Sequence, residues 1–253
     1  MIERYRKGLS SSIGASGKFG KTQWDLVARA SRADQNSTEV RTAVEELYGA
    51  YSLPIYFFIR RRGRNRHDAQ DLTQEFFLNL LEKKTLSRAD PARGKFRTFL
   101  LGALQYFLAD KADFDNAKKR GGGSAVVFLD DDSAERQYQL AAPIEATAEE
   151  LFQRRWAVVL TNLTMLRLQE EMEASGKARQ FEALRGLITG NDPESQRNVA
   201  NRLGISAEAV RTTLHRLRSR YRDLLREEVA RTVANPQDVE GELKELRGLL
   251  RSM

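Results

Sequence analysis

The sequence predicts an all-α protein: two helical domains joined by a flexible linker. Three observations predict it. Apolar residues recur at three- and four-residue intervals along most of the 253 positions, so the pattern is almost wholly helical. Gly121-Gly122-Gly123-Ser124, followed by Asp130-Asp131-Asp132 and Ala141-Ala142-Pro143, is the clearest break in the chain. Residues 195–222 have the spacing of a helix-turn-helix. The expected organisation is a disordered tail over 1–21, a helical domain over 22–120, a linker over 121–144, a second helical domain over 145–232 and an amphipathic extension over 233–253.

Charge and composition narrow the function classes. Forty-two Lys and Arg against 35 Asp and Glu leave a formal net charge of +7, which points to a polyanionic partner. That balance alone does not separate nucleic acid from an anionic membrane; Arg clusters on helices favour nucleic acid. With no cysteine, disulfides, thiolate metal sites and a cysteine nucleophile are excluded. Only His67 and His215 are present, so zinc chemistry is not expected and neither metal ligands nor cofactors are assigned. The N-terminus has no apolar core of signal-peptide length and no stretch approaches the ~18 uninterrupted apolar residues of a spanning helix, so a soluble, cytoplasmic protein is expected.

In chain order, the tail holds one decoy. Ala15-Ser16-Gly17-Lys18-Phe19-Gly20-Lys21-Thr22 falls one residue short of a phosphate-binding loop, since Ala15 stands where glycine belongs and no buried strand precedes it. A nucleotide-binding enzyme is therefore disfavoured. Trp24, Leu26 and Val27 open the helical pattern. Val40, Val44, Leu47, Tyr48 and Tyr51 mark the next helix, with Pro54 expected to kink or break it before Ile55-Tyr56-Phe57-Phe58-Ile59. Behind Arg60-Arg61-Arg62-Gly63-Arg64 comes a helix over residues 67–81, with Asp68 placed as its N-cap and Leu72, Phe76, Phe77, Leu80 and Leu81 on its inner face. Asp90-Pro91 is expected to start another, with Phe96, Phe99, Leu100, Leu104 and Phe107 in its buried stripe. Within the linker, Val126-Val127-Phe128-Leu129 is a short apolar patch.

Beyond the linker, Leu151, Phe152, Trp156, Val159, Leu160 and Leu163 predict a long amphipathic helix, and Phe181, Leu184, Leu187 and Ile188 a shorter one. Val199, Ala200 and Leu203 then close the first helix of the helix-turn-helix. Gly204 supplies a positive-φ turn, Ile205 anchors it, and Ser206 caps the second helix. Val210, Leu214, Leu217 and Tyr221 face inward, which turns Arg211, Thr212, His215, Arg218 and Arg222 outward together with part of Arg216. After Asn235-Pro236, Val239, Leu243, Leu246 and Leu250 form a stripe expected to pack back on the second domain, or else to mask the recognition helix or meet a regulator.

Three surfaces carry functional interest. Asp71, Gln74, Glu75 and Asn79 point away from the core of the 67–81 helix, a face for a partner or simply a solvated one. The basic outer face of the second helix of the helix-turn-helix has the width a DNA major groove accepts; a solvated Arg-rich helix is the alternative. The helix after Asp90 combines Arg97, Gln105, Tyr106, Lys111, Lys118, Lys119 and Arg120 with aromatics suited to unstacked bases.

Taken together, Leu47-Tyr48, Arg60 to Gly63, Asp68-Ala69-Gln70-Asp71-Leu72-Thr73-Gln74-Glu75-Phe76-Phe77 and Phe96-Arg97-Thr98-Phe99-Leu100 resemble the region-two domain of bacterial RNA polymerase sigma factors. Val199-Ala200, Arg202-Leu203-Gly204-Ile205-Ser206, Val210-Arg211 and Leu214-His215-Arg216-Leu217 resemble their region-four domain, and the extracytoplasmic-function group is the most similar. The resemblance implies a region-two-like bundle, a region-four-like helix-turn-helix and a factor that brings core RNA polymerase to promoter DNA. It implies polymerase binding by Asp68, Asp71, Gln74 and Glu75, contact with the melted minus-ten element by Arg97, Tyr106, Lys111 and Lys118, and contact with the minus-thirty-five element by Arg211, Thr212, His215 and Arg216. No catalytic residue is implied, because the chemistry belongs to the polymerase. An anti-sigma factor or another regulator is a further partner the resemblance allows; a membrane is not. The chain departs from the family at Tyr106, where Asn is common, in Lys177-Ala178-Arg179-Gln180-Phe181, and at Gln196, Arg197 and Asn198. No region-three domain is visible. The alternative function is a free-standing helix-turn-helix regulator.

Overall fold

Thr38–Arg61 forms one continuous helix, α1, with Pro54 inside it, in place of the expected break. Burial explains the difference. Tyr51, Ile55, Tyr56, Phe57, Phe58 and Ile59 are all nearly inaccessible. At about 1.5–3 kcal/mol for each fully buried side chain, they outweigh the ~3 kcal/mol that a mid-helix proline costs. The computed structural model describes Trp24, Val27 and residues 38–82, 85–117, 131–141, 145–190 and 196–251. The 1–21 tail, the Gly121–Ser124 break, the apolar patch over 126–129 and Lys118 lie outside the described residues. Among the described residues every regular element is helical, nine α-helices with three short 3₁₀ turns and no strand, which bears out the all-α class.

α2 spans Arg66–Glu82. Its cap is Asn65 and not Asp68. The Asn65 Oδ1 accepts from the Asp68 backbone N–H at 2.9 Å, while its Nδ2 donates to the Asp68 carboxylate at 2.9 Å. Asp68 thus sits in the first turn, where its charge still favours the positive helix end. Asp90-Pro91 similarly starts only a 3₁₀ turn, Pro91–Arg93, with Asp90 Oδ1 accepting from the Ala92 N–H at 2.9 Å. Gly94 then takes φ +120°, and α3 begins separately at Phe96 and runs to Ala117.

Inside the stretch expected to be linker lies a helix, α4 (Asp131–Ala141). Its Glu135 accepts from the Tyr56 hydroxyl and from both Nε (2.9 Å) and Nη2 (2.7 Å) of Arg60. One turn on, Tyr138 meets the Phe57 ring edge-on at 5.2 Å and lies 4.9 Å from the Arg60 guanidinium. The Arg60 fork holds the Glu135 carboxyl well below its ordinary value, at about 2, against the opposing effect of burial. A depressed folded-state pKa gives stability that is complete above the unfolded value of about 4.5 and is lost as pH falls toward 2. Thermal melts between pH 5 and 2 should therefore show a steep fall in Tm that Glu135→Gln flattens; parallel pH profiles for the two proteins would contradict this.

Five helices follow: α5 (Ala148–Ala174), α6 (Ala178–Thr189), α7 (Gln196–Leu203), α8 (Ala207–Ala230) and α9 (Val239–Arg251). Thr147 and Glu150 start α5 with a reciprocal cap, the Thr147 Oγ1 accepting from the Glu150 N–H at 3.1 Å and the Glu150 carboxylate from the Thr147 N–H at 2.9 Å. The described residues fall into two compact units, one reaching Val158 and resuming at Ala230, the other Val159–Val229. In the first, Tyr51, Phe96, Leu100 and Trp156 are core residues, and Trp24 meets Phe96 edge-on at 5.6 Å. α9 belongs to this first unit, together with α3 and the first part of α5. Its Glu242 and Glu245 pair with Lys95 and Arg97.

The second unit buries Leu168, Phe181, Leu184, Val199, Val210, Leu214, Leu217 and Leu224 in one cluster. Its turn has the geometry that the residues predict. Gly204 has φ +69°, its N–H donates to the Asn201 carbonyl at 3.3 Å, and the Ile205 N–H donates to the Ala200 carbonyl at 3.1 Å. Ser206 Oγ accepts from the Ala209 N–H at 3.1 Å and caps α8. Ile205 is 36% exposed, so its side chain is only partly covered. Since only glycine adopts this φ without steric cost, Gly204→Ala should destabilise the second unit by about 1–2 kcal/mol, measurable as a shift in the chemical-denaturation midpoint; an unchanged midpoint would mean that the turn relaxes.

Candidate nucleic-acid and protein interfaces

Along α2, Ala69, Phe76, Phe77 and Leu80 are buried, and the Tyr48 and Phe77 rings sit 4.8 Å apart. Thr73 is buried too, its hydroxyl donating to the Ala69 carbonyl at 2.6 Å. Asp68 and Asp71 are exposed, whereas Gln74 and Glu75 are half-buried. Leu78 continues this outward stripe at 53% exposure. Sequence reasoning missed it because it is embedded in the run Phe76-Phe77-Leu78-Asn79-Leu80-Leu81, although its spacing of seven from Asp71 places it on the polar side.

Of the four residues expected to touch melted DNA, the three described, Arg97, Tyr106 and Lys111, do not share one open surface. Tyr106 is 75% exposed. Lys111 is half-buried, lies 5.9 Å from the Phe107 ring and pairs with Glu75, so it joins α3 to the outward stripe of α2. Arg97 is only 3% exposed, which corrects its placement on an open face. Its Nε donates to Gln153 at 2.7 Å, its guanidinium lies 4.2 Å from the Trp156 ring, and Glu242 and Glu245 hold its remaining nitrogens. Burial lowers the Arg97 pKa, with the charge of Glu245 opposing. For Glu245 burial works upward, but hydrogen bonding to Lys95 and the charge of Arg97 outweigh it and leave its carboxyl below the ordinary value. The run at 60–62 is also engaged internally, Arg60 with Glu135, Arg61 with the Ala146 carbonyl at 2.6 Å and Arg62 with Glu149 at 3.3 Å.

In the second unit, Arg211, Thr212, His215 and Arg216 are all exposed on α8, as their spacing predicts. Arg211, His215, Arg218 and Arg222 line a concavity of about 490 Å³ together with Ile188, Gln196, Leu214 and Tyr221. Arg218 donates to the Leu187 carbonyl at 2.7 Å, which satisfies an acceptor near the end of α6 and fixes this side chain. Arg211 pairs with Glu208 at 2.6 Å, both side chains largely exposed. Burial raises the Tyr221 phenol to about 12, so it stays protonated as a wall of the concavity. Opposite, Arg220 binds Glu171 through two nitrogens (2.8 and 2.6 Å) and Arg167 binds Glu227 and Glu228.

Among the described residues no group of three or more His, Cys, Asp or Glu is arranged to hold a metal ion. No described helix is long and apolar enough to cross a membrane.

Residues 47–105 match the family model described as Sigma-70 region 2. The match begins at Leu47 in α1, includes all of α2 and ends at Gln105 in α3. Neither a curated protein nor a solved structure matches the chain.

Proposed function

We propose that the chain is a transcription initiation factor of the extracytoplasmic-function group, which binds core RNA polymerase and directs it to promoters with two recognised elements. The observation that carries this reading is the Sigma-70 region 2 match over α2, whose acidic and polar stripe faces outward. Asp68, Asp71, Gln74 and Glu75, with Leu78 added, form the polymerase-binding surface. Tyr106, Lys111 and Lys118 serve the melted minus-ten element. Arg211, Thr212, His215 and Arg216 serve the minus-thirty-five element from the exposed side of α8. Catalysis stays with the polymerase. In vitro transcription with purified core polymerase on a genomic promoter library tests the reading. Promoter-specific initiation is expected, with weak binding to isolated duplex. High affinity for a duplex operator without polymerase, and no initiation, would instead identify a free-standing regulator.

At the level of one residue, Arg211→Ala should cost about 1–3 kcal/mol of promoter affinity and relax preference at one base position, as loss of a base-edge contact does. Binding measured across a panel of single-base variants checks it. A loss of equal size on every variant would reduce Arg211 to a phosphate contact.

A further inference from the structure

We propose that α9 is a displaceable cover over the cations at the start of α3, and that the phosphodiester backbone of promoter DNA takes the place of its carboxylates. This rests on the promoter-binding reading above. Lys95 reaches Glu242 at 2.6 Å and also Glu245; Arg97 faces Glu242 through Nη1 as an ion pair without a hydrogen bond, and donates to Glu245 through Nη2 at 2.5 Å. Two cations thus converge on two carboxylates, the arrangement with which Lys and forked Arg groups grip non-bridging phosphate oxygens. The Glu242 side chain is fully buried (0%), while Glu245 remains 45% exposed and gives a competing anion a point of entry.

Several properties of α9 suit it to leave. A buried ion pair is a costly way to dock a helix, since a well-packed apolar pair of similar volume would hold it as well or better. The apolar seal is small: Val239, Leu243 and Leu246 are buried. At 13 residues, α9 is too short to persist as a helix in water without its docking site, so release and unfolding are one event. Gly241 and Gly248 weaken it further, and no packing demands them: a Cβ at either position meets nothing within 4 Å. The glycines therefore keep the helix weak without contributing a contact.

That last feature supplies the test. In full-length protein with core polymerase, a fluorescent forked duplex carrying a promoter selected by in vitro transcription is titrated against wild type, Gly241→Ala/Gly248→Ala and Glu242→Gln/Glu245→Gln. Hydrogen exchange of the α9 amides is followed in parallel. The alanine variant should bind the fork roughly tenfold more weakly, because each replacement favours the docked helix; the glutamine variant should bind it more tightly than wild type. In wild type, the α9 amides should exchange faster once the fork is bound. Undiminished α9 protection in the bound complex overturns the proposal, as does equal fork affinity in all three proteins. If wild type itself fails to bind the fork with polymerase, the promoter-binding reading falls first and this inference falls with it.

Discussion

Arg97→Ala should destabilise the first unit by about 3–5 kcal/mol, the cost of removing one partner from a buried ion pair and leaving the other charge unsatisfied. Glu242 is the charge left behind, with Lys95 its only other described cation partner. Loss of the guanidinium over Trp156 adds to the effect, since such contacts reach about 2 kcal/mol when desolvated. The two tryptophans, Trp24 and Trp156, both lie in the first unit, so their fluorescence during urea unfolding reports that unit and not the helix-turn-helix. Glu242→Ala should cost a similar amount. The double variant Arg97→Ala/Glu242→Ala should cost less than the sum of the two, because it leaves no uncompensated charge at this pair. Strict additivity, or a cost below about 1 kcal/mol for Arg97→Ala, would show that the pair is not buried in solution.

Arg97 also shows where sequence reading stops. An arginine at the start of an amphipathic helix reads as solvent-facing, and nothing within a turn of it says otherwise; its partners lie 148 residues away for Glu245 and 56 for Gln153. α4 was illegible for the same reason. Its acidic, polar composition suggests a linker, and it is held by Tyr56 and Arg60, 79 and 75 residues distant. Features set by neighbours were legible. Gly204 and Ser206 announce the turn of the helix-turn-helix, and the spacing of Val210, Leu214 and Leu217 turns Arg211, Thr212, His215 and Arg216 outward. The same period separates Asp71 from Phe76 and Phe77 on α2. Between these extremes are the caps. Asn65 and Asp68 are both good cap residues three positions apart, and only the hydrogen bonds decide between them. Pro54 is the opposite failure, a sound local rule overruled by burial of the residues around it.

Asp71→Arg should weaken association with core polymerase at least ~100-fold while leaving the fold intact. Asp71 is exposed, in the second turn of α2 on the face away from Phe76 and Phe77. Within the free protein the reversal places a cation near the positive end of α2, a cost of about 0.3–1 kcal/mol at an exposed site. At an interface built to meet an anion, the same reversal brings like charges together, which costs several kcal/mol. The binding term therefore dominates, and Tm should move by only a few degrees while co-purification is lost. Asp71→Asn, which removes attraction without adding repulsion, should fall between wild type and arginine, and raising the salt concentration should narrow the gap between wild type and Asp71→Asn. Glu75→Arg is a less selective probe because Glu75 pairs with Lys111, so part of its effect arises inside the protein. Leu78→Ala tests the apolar end of the stripe: its 53% exposure predicts little change in Tm, so weaker polymerase binding there would extend the docking surface through a full two turns of α2. Wild-type co-purification by Asp71→Arg would remove α2 as that surface.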